Sequence, residues 1–155
     1  MRRLVVLCAL AALLAGCGGS TPPEVTFSAG AASVVAKPTQ YCDLRLENCQ
    51  SDANARVRLA VPAGTPLKVT VPDAISSTPW QVVFSYRSAN GTQTDGRSPV
   101  LTPDQHPDYT LQLPAATDAL VTAEVQQYGP PPQPNAETGE LEFPIRATWV
   151  LTTTG

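Results

Sequence analysis

The stretch ELEFPIRATWVLT at residues 140–152 decides the fold, because it is the longest run in which apolar and polar residues alternate. Successive side chains of a β-strand point to opposite faces, so this alternation predicts a strand with one apolar face. The residues predicted to face inward are Leu141, Phe143, Ile145, Ala147, Trp149 and Leu151. Pro144 has no amide hydrogen for a neighbouring strand, which predicts an edge position or a bulge at this point.

Six shorter runs repeat the alternation, and no window after Pro23 shows a convincing helical period. They are EVTFSA (24–29), ARVRLAV (55–61), LKVTV (67–71), WQVVFSYR (80–87), YTLQL (109–113) and LVTAEVQQY (120–128). The dipeptides Asn90-Gly91 and Asp95-Gly96 are typical of hairpin turns. Sixteen prolines and ten glycines favour turns over long helices. The sequence therefore predicts an all-β, immunoglobulin-like β-sandwich of about seven to nine antiparallel strands, with a small barrel as the alternative.

The first residues are typical of a secretory signal. Arg2 and Arg3 precede an apolar run at residues 4–14, which is shorter than the roughly 20 residues that a membrane-spanning helix needs. The following LAGC, ending at Cys17, resembles the lipobox of bacterial lipoproteins, in which the cysteine receives a diacylglyceryl group and becomes the first mature residue. A buried or disulfide-bonded Cys17 is the alternative.

These features predict three regions. Residues 1–16 are a lipoprotein signal peptide, residues 17–23 are the lipidated cysteine and a flexible tether, and residues 24–155 are a single β-sandwich domain. The predicted location is the extracytoplasmic face of the cell membrane, held by acyl chains of the palmitate kind on Cys17.

Two further cysteines, Cys42 and Cys49, lie in YCDLRLENC, and an extracytoplasmic location permits a structural disulfide between them. Their spacing is not that of a redox C-x-x-C motif, and a zinc site would need more ligands than these thiols and one histidine supply. The acidic residues Asp43, Glu47 and Asp52 leave a calcium site as the alternative use of this segment.

Charge and motifs argue against nucleic-acid binding and catalysis. Loss of the two positive charges of Arg2 and Arg3 takes the formal net charge from −3 to −5, without the basic patch that nucleic acid or anionic lipid would require. His106, between prolines, fits a solvated turn better than a catalytic triad. Glu140 and Glu142 share one strand face rather than opposing each other across a cleft. We therefore predict no enzyme, no cofactor and no metal.

Two groups of residues are candidates for binding. Tyr128, followed by Pro130, Pro131 and Pro132, forms a stiff extended segment suited to a protein partner, with a rigid hairpin connection as the alternative. Trp80 and Trp149 would line a groove for an apolar envelope ligand or lipid, with packing in the core as the alternative.

Several stretches also carry a family resemblance. They are AKPTQYCD (36–43), TPWQVVFSYR (78–87), RSPV (97–100), YTLQLP (109–114), EVQQYG (124–129) and GELEFPIRATWVL (139–151). From about residue 23 to residue 151 the chain resembles a family of actinobacterial lipoproteins known only by a domain of unknown function. The resemblance implies an envelope lipoprotein and brings no substrate and no catalytic residues. The predicted function is a non-catalytic extracytoplasmic binding or interaction module; the alternative is a carrier for an apolar ligand or lipid.

Overall fold

Two β-sheets face each other across one apolar core in the computed structural model, which describes residues 21–103 and 107–154. The strands are β1 (Val25–Ala29), β2 (Ala32–Ala36), β3 (Gln40–Tyr41), β4 (Gln50–Ser51), β5 (Val57–Leu59), β6 (Leu67–Thr70), β7 (Trp80–Arg87), β8 (Gln93–Arg97), β9 (Asp108–Leu111), β10 (Ala119–Tyr128), β11 (Gln133–Pro134), β12 (Leu141–Glu142) and β13 (Ile145–Thr153). Helical structure among the described residues is limited to α1 (Asp73–Ser76) and a 3-10 turn (Ala53–Ala55). The predicted all-β sandwich is confirmed, with nine of these strands three or more residues long.

The smaller sheet has the strand order β2-β1-β6-β9 and is antiparallel throughout. The larger sheet has the order β4-β3-β13-β10-β7-β8, with β5 as an additional partner of β13. The pairing of β5 with β13 is parallel and brings Val57 opposite Leu151, which departs from the predicted antiparallel arrangement. One edge of β13 is divided between two strands, because β3 pairs with its first half and β5 with its second half.

The core consists of the inner faces of both sheets. Its largest fully buried side chains include Trp80, Trp149, Phe27, Leu67 and Ile75. Full burial of an apolar side chain contributes roughly 1.5–3 kcal/mol, so strands with period-two alternation are most stable when their apolar faces meet. The indole Nε1 of Trp149 also donates a hydrogen bond of 2.9 Å to the carbonyl of Pro23, which attaches the N-terminal segment to the sandwich.

The stretch at residues 140–152 splits at Pro144. Ala147, Trp149 and Leu151 are fully buried in β13, as predicted, whereas Leu141 and Phe143 are about 60% exposed. The inward orientation predicted for the first two apolar residues is therefore wrong, because β12 leaves the larger sheet and pairs with β11 instead. A register shift next to the proline confirms the predicted bulge: Gln127 is opposite Ala147 and Tyr128 is opposite Ile145, which leaves Arg146 without a strand partner.

The two predicted hairpin dipeptides have different outcomes. Asn90-Gly91 lies in the turn between β7 and β8, where Gly91 has a φ of +86° that favours glycine. Asp95-Gly96 does not form a turn and lies within β8. Gly96 is needed there for a packing reason, since a Cβ atom would lie 2.5 Å from Cζ of the Phe84 ring.

Candidate ligand-binding site

Residues 129–144 form an arm that projects from one end of the larger sheet, between β10 and β13. Its tip is a turn organised by Asn135, whose Oδ1 accepts hydrogen bonds from the backbone amides of Glu137 (2.8 Å) and Thr138 (3.0 Å). The backbone amide of Asn135 donates to the carbonyl of Glu140 (2.7 Å), and its side-chain amide donates to the carboxylate of Glu142. The arm is therefore an ordered hairpin of β11 and β12.

The arm and the sheet end enclose an apolar pocket of about 540 Å³, which we call the arm pocket. Its lining residues are Pro79, Val100, Thr102, Tyr128, Gly129, Pro130, Pro131, Pro132, Phe143 and Pro144. The rings of Tyr128 and Phe143 meet edge to face with 6.2 Å between their centroids, a geometry that aromatic pairs prefer. Pockets that bind small molecules are commonly concave, apolar and 300–1,000 Å³ in volume, and the arm pocket has these properties.

Backbone hydrogen bonds hold the walls of the arm pocket together. The amide of Tyr128 donates to the carbonyl of Pro79 (2.9 Å), and the amide of Gly129 donates to the carbonyl of Pro144 (2.8 Å). The prolines that follow have no amide hydrogen and a fixed φ, so they form a stiff wall without needing strand partners. Gly129 lies in a tightly packed place, since a Cβ atom there would lie 3.0 Å from a methyl group of Leu46.

The Tyr128 hydroxyl gives the arm pocket a polar group. Partial burial raises its pKa above the usual 10.0, while the positive charge of Arg97 acts in the opposite direction. The hydroxyl is therefore protonated at neutral pH and can donate a hydrogen bond to a ligand.

The structure brings together one of the two predicted groups of binding residues. Tyr128, Pro130, Pro131 and Pro132 all line the arm pocket. The other group does not form a groove: Trp80 and Trp149 are fully buried, as the core-packing alternative holds. The sequence analysis missed Phe143, which it assigned to the core, and Val100, the last residue of the RSPV stretch, where no alternation marks a site.

The segment after β3 is closed by a disulfide between Cys42 and Cys49, which confirms that prediction. Hydrogen bonds hold the pKa of the Asp43 carboxyl below its usual 3.8, chiefly the one from the Asn48 side chain (2.9 Å), followed by that from the Glu47 amide (2.8 Å). Its oxygens are thus engaged within the loop, and Asp52 accepts from the amide of Asn54. Within residues 21–103 and 107–154, no cluster of acidic, histidine or cysteine side chains is arranged to hold a metal ion.

A second depression, of about 410 Å³, lies on the outer face of the larger sheet, and we call it the polar trough. Its lining residues are Arg56, Val83, Phe84, Ser85, Asp95, Gly96, Arg97, Thr122, Glu124 and Val150. A chain of side-chain hydrogen bonds ends at its edge, from Nε2 of Gln81 to Gln126 (2.9 Å) and from Nε2 of Gln126 to the lining residue Glu124 (2.8 Å). Hydroxyls of Ser85 and Thr122 are joined at 2.9 Å.

Comparison with models of protein families identifies the family of this chain. A family model described as "Protein of unknown function (DUF2771)" matches residues 19–154. The chain belongs to the DUF2771 family. No curated protein and no solved structure matches the chain. The match contains the whole sandwich, the arm and the polar trough, so both depressions lie within the DUF2771 region.

Several predictions fall on residues outside the described ones. They are the signal peptide at residues 1–16, the lipid attachment at Cys17 and the turn role of His106. In the part of the chain that the structure describes, no helix has the length and apolar character to cross a membrane. The lipobox and the lipoprotein character stay predictions from the sequence.

Proposed function

We propose that this DUF2771 protein is a cell-envelope lipoprotein, anchored through Cys17, that acts as a non-catalytic binding module on the extracytoplasmic side. The observation that supports a binding role is the arm pocket, a concave apolar surface with Phe143 about 60% exposed in its wall. Exposed apolar residues gathered in one place commonly mark a site of interaction.

The anchor would hold the arm pocket near the membrane. Thr21 and Pro22 line a depression together with Tyr41, whose hydroxyl accepts a hydrogen bond of 2.8 Å from Arg146. Arg146 in turn packs beside Gly129 at the base of the arm. Since an extended chain spans at most about 3.6 Å per residue, the four steps from Cys17 to Thr21 reach about 14 Å. A lipid on Cys17 would therefore keep Thr21, and with it the arm end of the sandwich, within reach of the bilayer surface, which supports the proposal.

A second candidate function is a carrier of an apolar envelope ligand or lipid. The concave shape of the arm pocket and its volume of about 540 Å³ favour this alternative, because small-molecule sites are commonly concave apolar pockets of this size. The side chain of Leu141, which is exposed on the arm but does not line the arm pocket, favours the interaction module.

The test is purification of the protein from its native membrane after mild in-cell crosslinking, with mass spectrometry of accompanying proteins and lipids. Wild type is compared with Phe143→Ser, which changes the arm pocket, and with Val35→Ser, which changes an exposed apolar residue on β2. A recurrent protein lost only in Phe143→Ser supports the interaction module. A stoichiometric lipid lost in the same way supports the carrier. Partners that are unchanged in Phe143→Ser would contradict a binding role for the arm pocket.

The anchor has a separate test. Cys17→Ser removes the thiol that receives the lipid, so we expect release of the protein from the membrane fraction or failure of processing. Unchanged membrane association and unchanged mass would contradict the lipobox interpretation.

A further inference from the structure

The arm pocket and the polar trough lie side by side on the same face of the larger sheet. Gln126 and Tyr128 are two residues apart on β10, and Gln127 between them points into the core, where its Nε2 donates to the carbonyl of Ala74 (2.9 Å). Residues two apart on a strand share a face and lie about 7 Å apart. Gln126 is therefore adjacent to the wall of the arm pocket that Tyr128 forms.

The neighbouring strand repeats this arrangement. Gln81, at the start of the hydrogen-bonded chain, is two residues from Pro79, which lines the arm pocket. Arg97 gives a third link between the two depressions, after Gln126 and Gln81. It lines the polar trough, and its charge acts on the Tyr128 hydroxyl in the wall of the arm pocket. The apolar and polar depressions are thus neighbours, separated by the hydrogen-bonded side chains of Gln81 and Gln126, which line neither.

The charges of the polar trough are balanced. Its four charged lining residues are Arg56, Arg97, Asp95 and Glu124, two of each sign. Within residues 21–103 and 107–154, none of the four forms an ion pair closer than 4.0 Å. A ligand with a net charge would meet two like charges as well as two opposite ones in this lining, whereas an uncharged group with donors and acceptors can bond to charges of either sign.

We propose that the two depressions form one site for an amphiphile, whose apolar chain occupies the arm pocket and whose uncharged, hydroxyl-rich head group lies on the polar trough. This inference rests on the proposed binding function of the arm pocket and names its ligand class. Hydroxyls act as donors to Glu124 and Asp95 and as acceptors from the two guanidinium groups. The chain of bonds from Gln81 through Gln126 to Glu124 fixes the orientation of these side chains before a ligand arrives, which lowers the entropic cost of binding.

Three amphiphiles with the same chain test the inference: octyl glucoside, octyl sulfate and octyltrimethylammonium. Each is titrated below its micelle concentration into the Cys17→Ser chain, purified without detergent, and the heat of binding is measured. We expect the glucoside to bind about ten-fold more tightly than either charged amphiphile, because only its head group satisfies both signs of charge. Equal binding of all three would overturn the inference and leave the arm pocket as the site. Tighter binding of a charged amphiphile would overturn the assignment of an uncharged head group to the polar trough. No binding of any of them would overturn the inference and the carrier alternative, and would leave the interaction module to the crosslinking test.

Charge variants of the polar trough sharpen the test. Glu124→Gln keeps an acceptor for the Gln126 amide but gives the polar trough a net positive charge, so it should weaken the glucoside and strengthen the sulfate. Arg97→Gln should strengthen the trimethylammonium compound instead. Glu47→Gln is the control, because it removes one negative charge from an exposed residue of the disulfide loop. If Glu124→Gln and Glu47→Gln changed the three affinities alike, the head group would not contact the polar trough.

Discussion

The two halves of the stretch at residues 140–152 have the same alternating pattern but differ in burial. After Pro144, Trp149 and Leu151 are fully buried between the two sheets. Before it, Leu141 and Phe143 are about 60% exposed on the arm. The alternation specifies that one face is apolar, but the partner of that face depends on whether the backbone can continue the ladder. Pro144 cannot donate a hydrogen bond, and the chain turns away there to pair β12 with β11.

The difference separates residues that stabilise the fold from residues available for a ligand. A buried apolar side chain is held by contacts on all sides, whereas Phe143 contacts the Tyr128 ring and borders an open pocket. We therefore expect substitutions in the two halves to change different quantities, the free energy of unfolding in one and ligand affinity in the other.

The largest expected effect is on the buried half. Trp149→Ala should lower the free energy of unfolding by about 3–5 kcal/mol, because it leaves a cavity and removes the hydrogen bond to Pro23. Denaturant unfolding followed by circular dichroism measures the loss. A loss of less than about 1 kcal/mol would place Trp149 outside the core that the sandwich requires.

Removal of the disulfide should have the next largest effect. Replacing Cys42 and Cys49 together by alanine opens a loop with a sequence separation of 7 and should cost about 2–3 kcal/mol of stability. The same unfolding experiment on the double variant, with reduced wild type for comparison, measures it. If reduction left the unfolding midpoint of wild type unchanged, the loop would contribute nothing to stability.

Phe143→Ala should change stability little and binding strongly. Its exposed side chain contributes within about 0.5 kcal/mol to folding, so the unfolding midpoint should match that of wild type. Affinity for octyl glucoside should fall about ten-fold, because the apolar chain loses one wall of the arm pocket. Leu141→Ala changes an equally exposed arm residue that does not line the arm pocket, so it is the control and should leave that affinity unchanged. A destabilisation comparable to that of Trp149→Ala would remove the contrast between the two halves.

The smallest expected effect is a pH dependence in the disulfide loop. The pKa of Asp43 is lower in the folded protein than its usual 3.8, so its contribution to stability is present above pH 3.8 and is lost as the pH falls through the lower folded value. Asp43→Asn should be less stable than wild type at neutral pH and equal to it well below pH 3.8. Thermal unfolding over a pH series measures the difference. Glu47→Gln is the control, because the Glu47 carboxylate accepts no hydrogen bond from the residues that the structure describes.

Period-two alternation made much of the sandwich predictable. Burial between two sheets requires one apolar face per strand, and Phe27, Val69, Trp80 and Val125, each from a different alternating run, are all fully buried. Strand pairing was not predictable in the same way, because it depends on contacts between distant segments. The parallel pairing of Val57 with Leu151 joins residues that no local pattern relates.

The candidate site was predictable in part. The proline run after Tyr128 marked the arm as a stiff surface segment, because proline excludes it from a sheet. The polar trough gave no signal, since sequence reasoning assigns the polar residues of an alternating strand to solvent. In the folded sheet the outward side chains of β7 and β10 cover one another, and Gln81 and Ser85 are buried on this face.

One measurement tests the division between core and ligand site most directly. Backbone and indole chemical shifts are mapped in the isotope-labelled Cys17→Ser protein while it is titrated with heptanol, an apolar alcohol without a charged head group. The account predicts shifts for the amides of Tyr128, Gly129 and Phe143 and none for the indoles of Trp80 and Trp149. Shifts of the two indoles with an unchanged arm would contradict it and would place the apolar ligand in the core between the sheets.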